Sequence, residues 1–204
     1  MPAKHGPELL KTAFDLLAER GWAGFSFAEV ARRAGTTLDA VYAELPDRSA
    51  LLRMLGRRLD AGMLALDLAE LDGMNVRERL FELIMRRLDG MADYKDGLRM
   101  LARRPALEPV LLATACGNLD RLSRRLLDAA GADHGPVLAM LARRVVGGIY
   151  LCTFRVWLDD DTPDMARTLA ELDRRLQQAE TLARWTAGIR RLRRRTPAEN
   201  QAAG

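Results

Sequence analysis

The stretch SFAEVARRAGTTLDAVYAELPDRSALL, residues 26–52, carries the reading that decides the fold. Ser26 precedes an apolar-periodic segment, and Glu29 stands three residues on, the spacing of a capping box. Phe27, Val30 and Ala31 recur at helical spacing and predict a short helix that ends at Ala34 and Gly35. Thr36 is read as the cap of the next helix, with Asp39 in the box position and the helix running to about Leu45. Pro46 and Asp47 break it, and Asp47 caps a longer helix carrying Leu51, Leu52, Leu55 and Leu59. Two short helices joined by a turn that contains Gly predict a helix-turn-helix.

Outward from that unit the pattern stays helical. Before it, residues 7–20 place Leu9, Leu10, Ala13, Phe14 and Leu17 on one face, and Gly21 stops the run. After it, Asn75 and Glu78 form a cap pair for a helix through Phe81, Ile84, Met85 and Leu88. Residues 94–104 predict a short helix broken by Pro105, and residues 105–130 a longer one ending at Gly131. A loop is expected at 131–136, then a helix from Pro136 to about Leu158 that is apolar nearly all round and reads as buried. Within it, Arg155 requires a partner or solvent, an acidic residue of the last helix being the expected partner, and Gly147 and Gly148 permit a close helix approach or a kink. In the acidic run 159–164, Thr162 is read as a cap and Pro163 as the first helical residue, with the acids near the positive helix end rather than on a metal. The last helix carries Leu169, Leu172, Leu176, Ala179 and Ala183 as one stripe.

Composition agrees with an all-α protein. There are 35 Leu against 3 Ile and 8 Val in 204 residues, a poor supply for sheet. The hydrophobic fraction of 49% excludes wholesale disorder. The net charge of +4 belongs to one end: residues 190–204 hold five Arg against Glu199, so residues 1–189 are neutral overall. Residues 1–50 carry six basic and seven acidic side chains. Cys116 and Cys152 read as thiols in a reducing compartment, and no Cys/His cluster has metal-ligand spacing. Charged residues interrupt any leader-like N-terminal run, so the protein is expected in the cytoplasm. No nucleophile–base pair, phosphate loop or catalytic motif is present, which argues against an enzyme; no cofactor or metal is assigned.

Residues 26–52 resemble the TetR family of bacterial regulators. The matching features are Val30-Ala31, Ala34-Gly35 at the turn, Tyr42 late in the second helix, the Leu45-Pro46 break and the basic Arg48. The family has an aromatic where Leu45 stands, and usually a Lys and a Gly where Leu38, Asp39 and Ala40 stand. The resemblance implies a TetR-like, all-α homodimer: a DNA-binding helix-turn-helix domain at 1–48, a helical ligand-binding and dimerisation domain at 49–195, and a flexible tail at 196–204. It implies a ligand-responsive transcriptional repressor on a double-stranded operator, with half-sites about one helical turn apart. DNA contact is expected from Ser26, Thr36 and Thr37 at helix N-termini, from Leu38, and from Tyr42 and Arg48. Arg32 and Arg33 are further phosphate candidates if their face is exposed. The segment 36–45 itself holds Asp39 and Glu44 and no basic residue, against what phosphate neutralisation requires.

Two surfaces are expected in the C-terminal domain. Phe81, Met85, Met100, Met140, Tyr150, Phe154 and Trp157 are candidates for the lining of a pocket for a small apolar ligand. Val145, Ile149 and Cys152, with Leu169, Leu172 and Leu176, are candidates for the dimer interface. Residues 157–176 are also similar to the ubiquinone-biosynthesis lipid-binding proteins that share the TetR fold and have lost DNA reading. That resemblance implies an isoprenoid-lipid pocket and a membrane-contacting last helix. Here Leu182, Trp185, Ile189 and Leu192 fall on one stripe among six Arg in residues 182–195, a basic amphipathic pattern.

Overall fold

Three side-chain caps space the helices of 26–52, and one lies a residue beyond its expected place. The structure, a computed structural model, describes residues 6–103, 108–132 and 136–195, without the side chains of Leu68 and of residues 136–137 and 184–195. The Pro105 break, residues 133–135 of the expected loop, the tail 196–204 and the side chains of Trp185, Ile189 and Leu192 thus lie outside the described residues. All regular structure among the described residues is helical.

Helix α1 (Gly6–Arg20) buries Leu9, Leu10, Ala13, Phe14, Leu16 and Leu17. Ser26 Oγ accepts from the Glu29 amide at the start of α2 (Phe27–Arg33). The Glu29 carboxylate does not close a capping box; it is held by arginines. Gly35, at φ 62°, turns the chain through the left-handed region that favours glycine. The Thr36 amide then donates to Ala31 O and the Gly35 amide to Arg32 O, the pair of bonds that closes a Schellman motif. This engages Thr36 in the turn. The cap of α3 (Leu38–Glu44) is therefore Thr37, whose Oγ1 accepts from the Ala40 amide, rather than Thr36 with Asp39. Asp47 caps α4 (Arg48–Leu64) as expected, accepting from the Ala50 amide. Its carboxyl is held down at about 2 by the Ser49 hydroxyl first, against burial, and by Arg53 and the Ala50 amide.

A short 3-10 turn (Leu68–Leu71) leads to α5 (Val76–Asp89), where Asn75 and Glu78 close the reciprocal capping box read from the sequence. A second 3-10 turn (Ala92–Tyr94) precedes α6 (Lys95–Ala102). Helix α7 (Pro109–Ala129) begins at Pro109, with Glu108 before it, rather than at Pro105. Helices α8 (Pro136–Leu158) and α9 (Ala166–Arg195) complete the bundle. At their corner Pro163 lies outside the helix; α9 starts at Ala166, whose amide donates to Thr162 Oγ1. The acids of this corner are all engaged. Asp159 pairs with Arg103 and Asp161 with Arg99 and Lys95. Asp160 is buried and accepts from the amides and hydroxyls of Thr162 and Thr168. Burial pushes its carboxyl up, and those four bonds outweigh it, so the group sits well below the usual carboxylate range.

One apolar core runs from α1 through α4, α5 and α7 to α8 and α9. Two crossings tie the N-terminal helices to the rest. Helix α1 lies on α6, its most extensive pairing, and α4 lies on α7. Gly147 faces Ser123 Oγ where α8 meets α7, whereas a Cβ on Gly148 would meet open space. Helix α8 is not buried all round: Met140, Leu141, Val145, Leu151 and Arg155 are exposed. Arg155 faces solvent, and no acidic side chain pairs with it among the described residues.

Candidate functional site

Helix α3 offers its outer face to solvent. Thr37, Leu38, Asp39, Tyr42 and Ala43 are exposed, while Val41 and Leu45 anchor the helix inward. Leu38 and Tyr42 are 41% and 47% exposed. Tyr42 is nonetheless held in place by an aromatic ladder. Its ring meets Phe27 edge-on at 5.4 Å, Phe27 meets Phe25 at 5.3 Å, and Phe25 stacks on Trp22 at 5.7 Å. Ser26 and Thr37 lie exposed at the two helix starts; Thr36 is half-buried in the turn between them.

The charges around this face differ from their sequence tally. Glu29 is shared by Arg32, Arg33 and Arg20. Hydrogen bonds from Arg32, then Arg33, hold its carboxyl at about 2 against the burial penalty. Arg33 also chelates Glu19 through two bonds of 2.9 and 2.6 Å. Three guanidiniums over two carboxylates leave one positive charge on the face of α2, carried outermost by Arg32, whose side chain is 71% exposed. Arg48 is committed inward. Its guanidinium lies 5.0 Å from the Trp22 ring, donates to Phe25 O at 3.3 Å and pairs with Glu108 at 3.6 Å. Trp22 Nε1 donates to the same Glu108 oxygen. This cluster joins the helix-turn-helix to the start of α7, a link the sequence gives no local sign of because 86 residues separate Trp22 from Glu108.

The seven candidate pocket residues do not surround one space. Tyr150, Phe154 and Trp157 stack on one another along α8, at 6.2 and 5.8 Å between ring centres. The Tyr150 hydroxyl accepts from Arg87 Nε and donates to Met91 Sδ, and Trp157 is covered by the Lys95 ammonium at 5.2 Å. Met85 is buried, while Met100 and Met140 are exposed, Met100 beside Gly21 at the end of α1. Phe81 lines a cleft of about 340 Å³ with Met74, Arg77 and Asp173; the other six lie outside it. The aromatic stripe is core, filled by its own rings.

The interface candidates divide in the same way. Ile149, Leu172 and Leu176 are buried within the apolar core of the single chain. Val145 is exposed, and Cys152 and Leu169 are half-buried. Leu141, Val145 and Leu151 are exposed along α8.

The sequence reading also missed a buried charge cluster. Asp60, 1% exposed, accepts from Arg87 through Oδ1 and from Arg121 and Arg125 through Oδ2, at 3.3 and 2.6 Å for the latter pair. The available signal was a charge inside an apolar stripe: Arg87 sits beside Leu88 and three residues after Ile84. Next to the cluster opens a cleft of about 580 Å³ between the ends of α4, α5 and α7, lined among others by Leu64, Leu71, Arg79 and Arg125. Among the described residues no group of three or more His, Cys, Asp or Glu is placed to hold a metal, and no helix is long and apolar enough to cross a membrane.

With this geometry in view, the comparisons are specific. Residues 9–55 match the family model of bacterial regulatory proteins, tetR family. Residues 140–183, spanning most of α8 and the first part of α9, match the COQ9 family model. No curated protein sequence matches the chain. Among solved structures, the TetR transcriptional regulator from Nitrosomonas europaea is 23% identical, with 87% of this chain and 99% of that one covered and a TM-score of 0.74. NalD, the secondary repressor of the MexAB-OprM multidrug efflux pump in Pseudomonas aeruginosa, is 20% identical over 84% and 96%, with a TM-score of 0.52. A TetR variant from Acinetobacter baumannii, solved in complex with minocycline, is 23% identical over 89% and 98%, with a TM-score of 0.53. At these identities the likeness is one of fold. The chain thus has the TetR regulator fold, with a TetR-type helix-turn-helix at its N-terminal end.

Proposed function

We propose that the protein is a ligand-responsive transcriptional regulator of the TetR type, a repressor that binds a double-stranded DNA operator as a homodimer. The observation that carries this reading is the outer face of α3. Leu38 and Tyr42 are exposed there, yet Tyr42 is fixed by the aromatic ladder. A rigid exposed helix face of this kind suits a major groove. Tyr42 and the hydroxyls of Ser26 and Thr37 supply phosphate contacts, and Arg32 supplies the outermost cation. Arg48, held by Trp22, Phe25 and Glu108, acts chiefly by fixing the head on the body. The second copy docks on the exposed apolar residues of α8, Leu141, Val145 and Leu151, where the open side of Gly148 allows close helix approach.

Tyr42→Ala is expected to weaken binding to DNA from upstream of the protein's own coding region by about tenfold, the worth of one lost phosphate contact and its positioning. Tyr42→Phe keeps the packing on Phe27 and loses less. A gel-shift titration reads both, and parent-like affinity in Tyr42→Ala would remove α3 from the DNA interface.

The COQ9 match at 140–183 favours one other reading, a lipid-binding accessory protein that contacts membrane through its basic last helix. It requires that co-sedimentation with anionic liposomes fall when residues 190–204 are deleted, because five of the Arg lie there. Equal sedimentation of the full and shortened chains would dispose of it.

A further inference from the structure

The cleft between the ends of α4, α5 and α7 stands beside an imbalance of charge. Asp60 brings one carboxylate to three guanidiniums, those of Arg87, Arg121 and Arg125. Arg125 also lines the cleft, as does Arg79, whose Nε donates to Met74 O. Two carboxylates, Asp72 and Asp128, line the cleft as well. Counting all of these gives four positive and three negative charges, a surplus of one. The position of the charges matters more than the count. Asp72 and Asp128 are exposed at the rim, where water screens them, whereas Arg79 and Arg125 are half-buried. The remaining wall is apolar: Leu64, which is 40% exposed, Leu71 and Ala129. A volume of about 580 Å³ falls within the range of roughly 300–1,000 Å³ typical of small-molecule sites.

We propose that this cleft binds an amphipathic monocarboxylate, with the head on Arg125 and Arg79 and the apolar body over Leu64, Leu71 and Ala129. A guanidinium fork matches a carboxylate in geometry. A single negative charge cancels the surplus, and a dianionic phosphate head would overshoot it. The ligand carboxylate competes with Asp60 for Arg125.

The test is calorimetric titration of the full-length protein, without DNA, with sodium octanoate, 1-octanol and octyl phosphate. Octanoate is expected to bind most tightly, with octanol about tenfold weaker for want of the charge-assisted bonds. Arg125→Met and Arg79→Gln are each expected to reduce octanoate affinity by about tenfold and leave octanol unchanged. Arg79 lies outside the Asp60 cluster, so its variant tests the site even where Arg125→Met melts early. No heat with octanoate at millimolar concentration, octanol or octyl phosphate binding as tightly as octanoate, or parent-like octanoate affinity in both variants would overturn the proposal. Octanoate binding in a protein that ignores operator DNA would leave the site standing and overturn only the regulator reading. Operator binding without octanoate binding would do the reverse.

Discussion

Replacing Asp60 by alanine is expected to destabilise the protein by about 3–5 kcal/mol, the usual cost of orphaning a buried charge. The carboxylate is 1% exposed and accepts from three guanidiniums that reach it from α5 and α7. Without it, Arg87, whose side chain is 5% exposed, keeps the Tyr150 hydroxyl as its one acceptor among the described residues. Arg121 and Arg125 are partly solvated and lose less. The loss therefore concentrates on one residue, and removing that residue as well should recover most of it. Asp60→Leu with Arg87→Met is expected to be much nearer the parent than Asp60→Ala alone, as volume-matched apolar replacements of buried pairs often are. Urea unfolding at fixed protein concentration measures both. A loss below about 1 kcal/mol for Asp60→Ala would mean that water reaches the cluster and that α4 is not held by it.

Gly97→Ala is expected to cost about 2 kcal/mol and to lower the melting temperature by roughly 4–8 °C for a chain of this size. A Cβ at Gly97 would stand 2.6 Å from the Phe14 carbonyl oxygen and 2.9 Å from its ring. The nearer atom is backbone, so no side-chain rotation relieves the clash, and α1 must move off α6. The gain in helix propensity from Gly to Ala, about 1 kcal/mol, offsets only part of this. Because α1 rests on α6, the same substitution loosens the helix-turn-helix from the body. An unchanged melting curve would show that the α1–α6 crossing has room to spare.

These two residues also mark where sequence reading stops. Local signals were legible: Ser26, Asp47 and the Asn75–Glu78 box cap helices because a cap depends on residues two or three apart. The apolar faces of α1 and α5 were legible for the same reason. Thr36 was misread because the Schellman closure of α2 depends on a left-handed Gly35 and bonds that reach back to Ala31, which moves the next start to Thr37. A 3.6-residue period shows that a stripe is apolar but not which neighbour covers it. That is why Ile149, Leu172 and Leu176 turned out to be buried in the core of one chain, while Leu141 and Leu151 remain exposed. The aromatic stripe of α8 likewise showed in the sequence as apolar, but not that Tyr150, Phe154 and Trp157 stack on one another. The Asp60 cluster and the Trp22–Arg48–Glu108 link join residues 26 to 86 positions apart, beyond the reach of any periodicity.

The charge of the DNA-reading element shows the same limit. Counted along the chain, residues 1–50 are slightly acidic. Folded, Glu19 and Glu29 are spent on Arg20, Arg32 and Arg33, and Arg32 stands outermost. Helix α3 still presents Asp39 and no cation, so the proposed operator binding draws its affinity from α2, the helix starts and the fit of Leu38 and Tyr42 rather than from a dense basic patch. A shallow dependence on salt follows.

Fluorescence anisotropy tests directly whether the protein, with α3 in the major groove, reads DNA sequence. The full-length protein is titrated against DNA from upstream of its own coding region and against a scrambled duplex of the same composition, at about 50 and 200 mM salt. The account predicts binding to the upstream sequence at least about a thousandfold tighter than to the scrambled duplex, with the preference retained at the higher salt. Equal affinity for the two duplexes at both salt concentrations would contradict it.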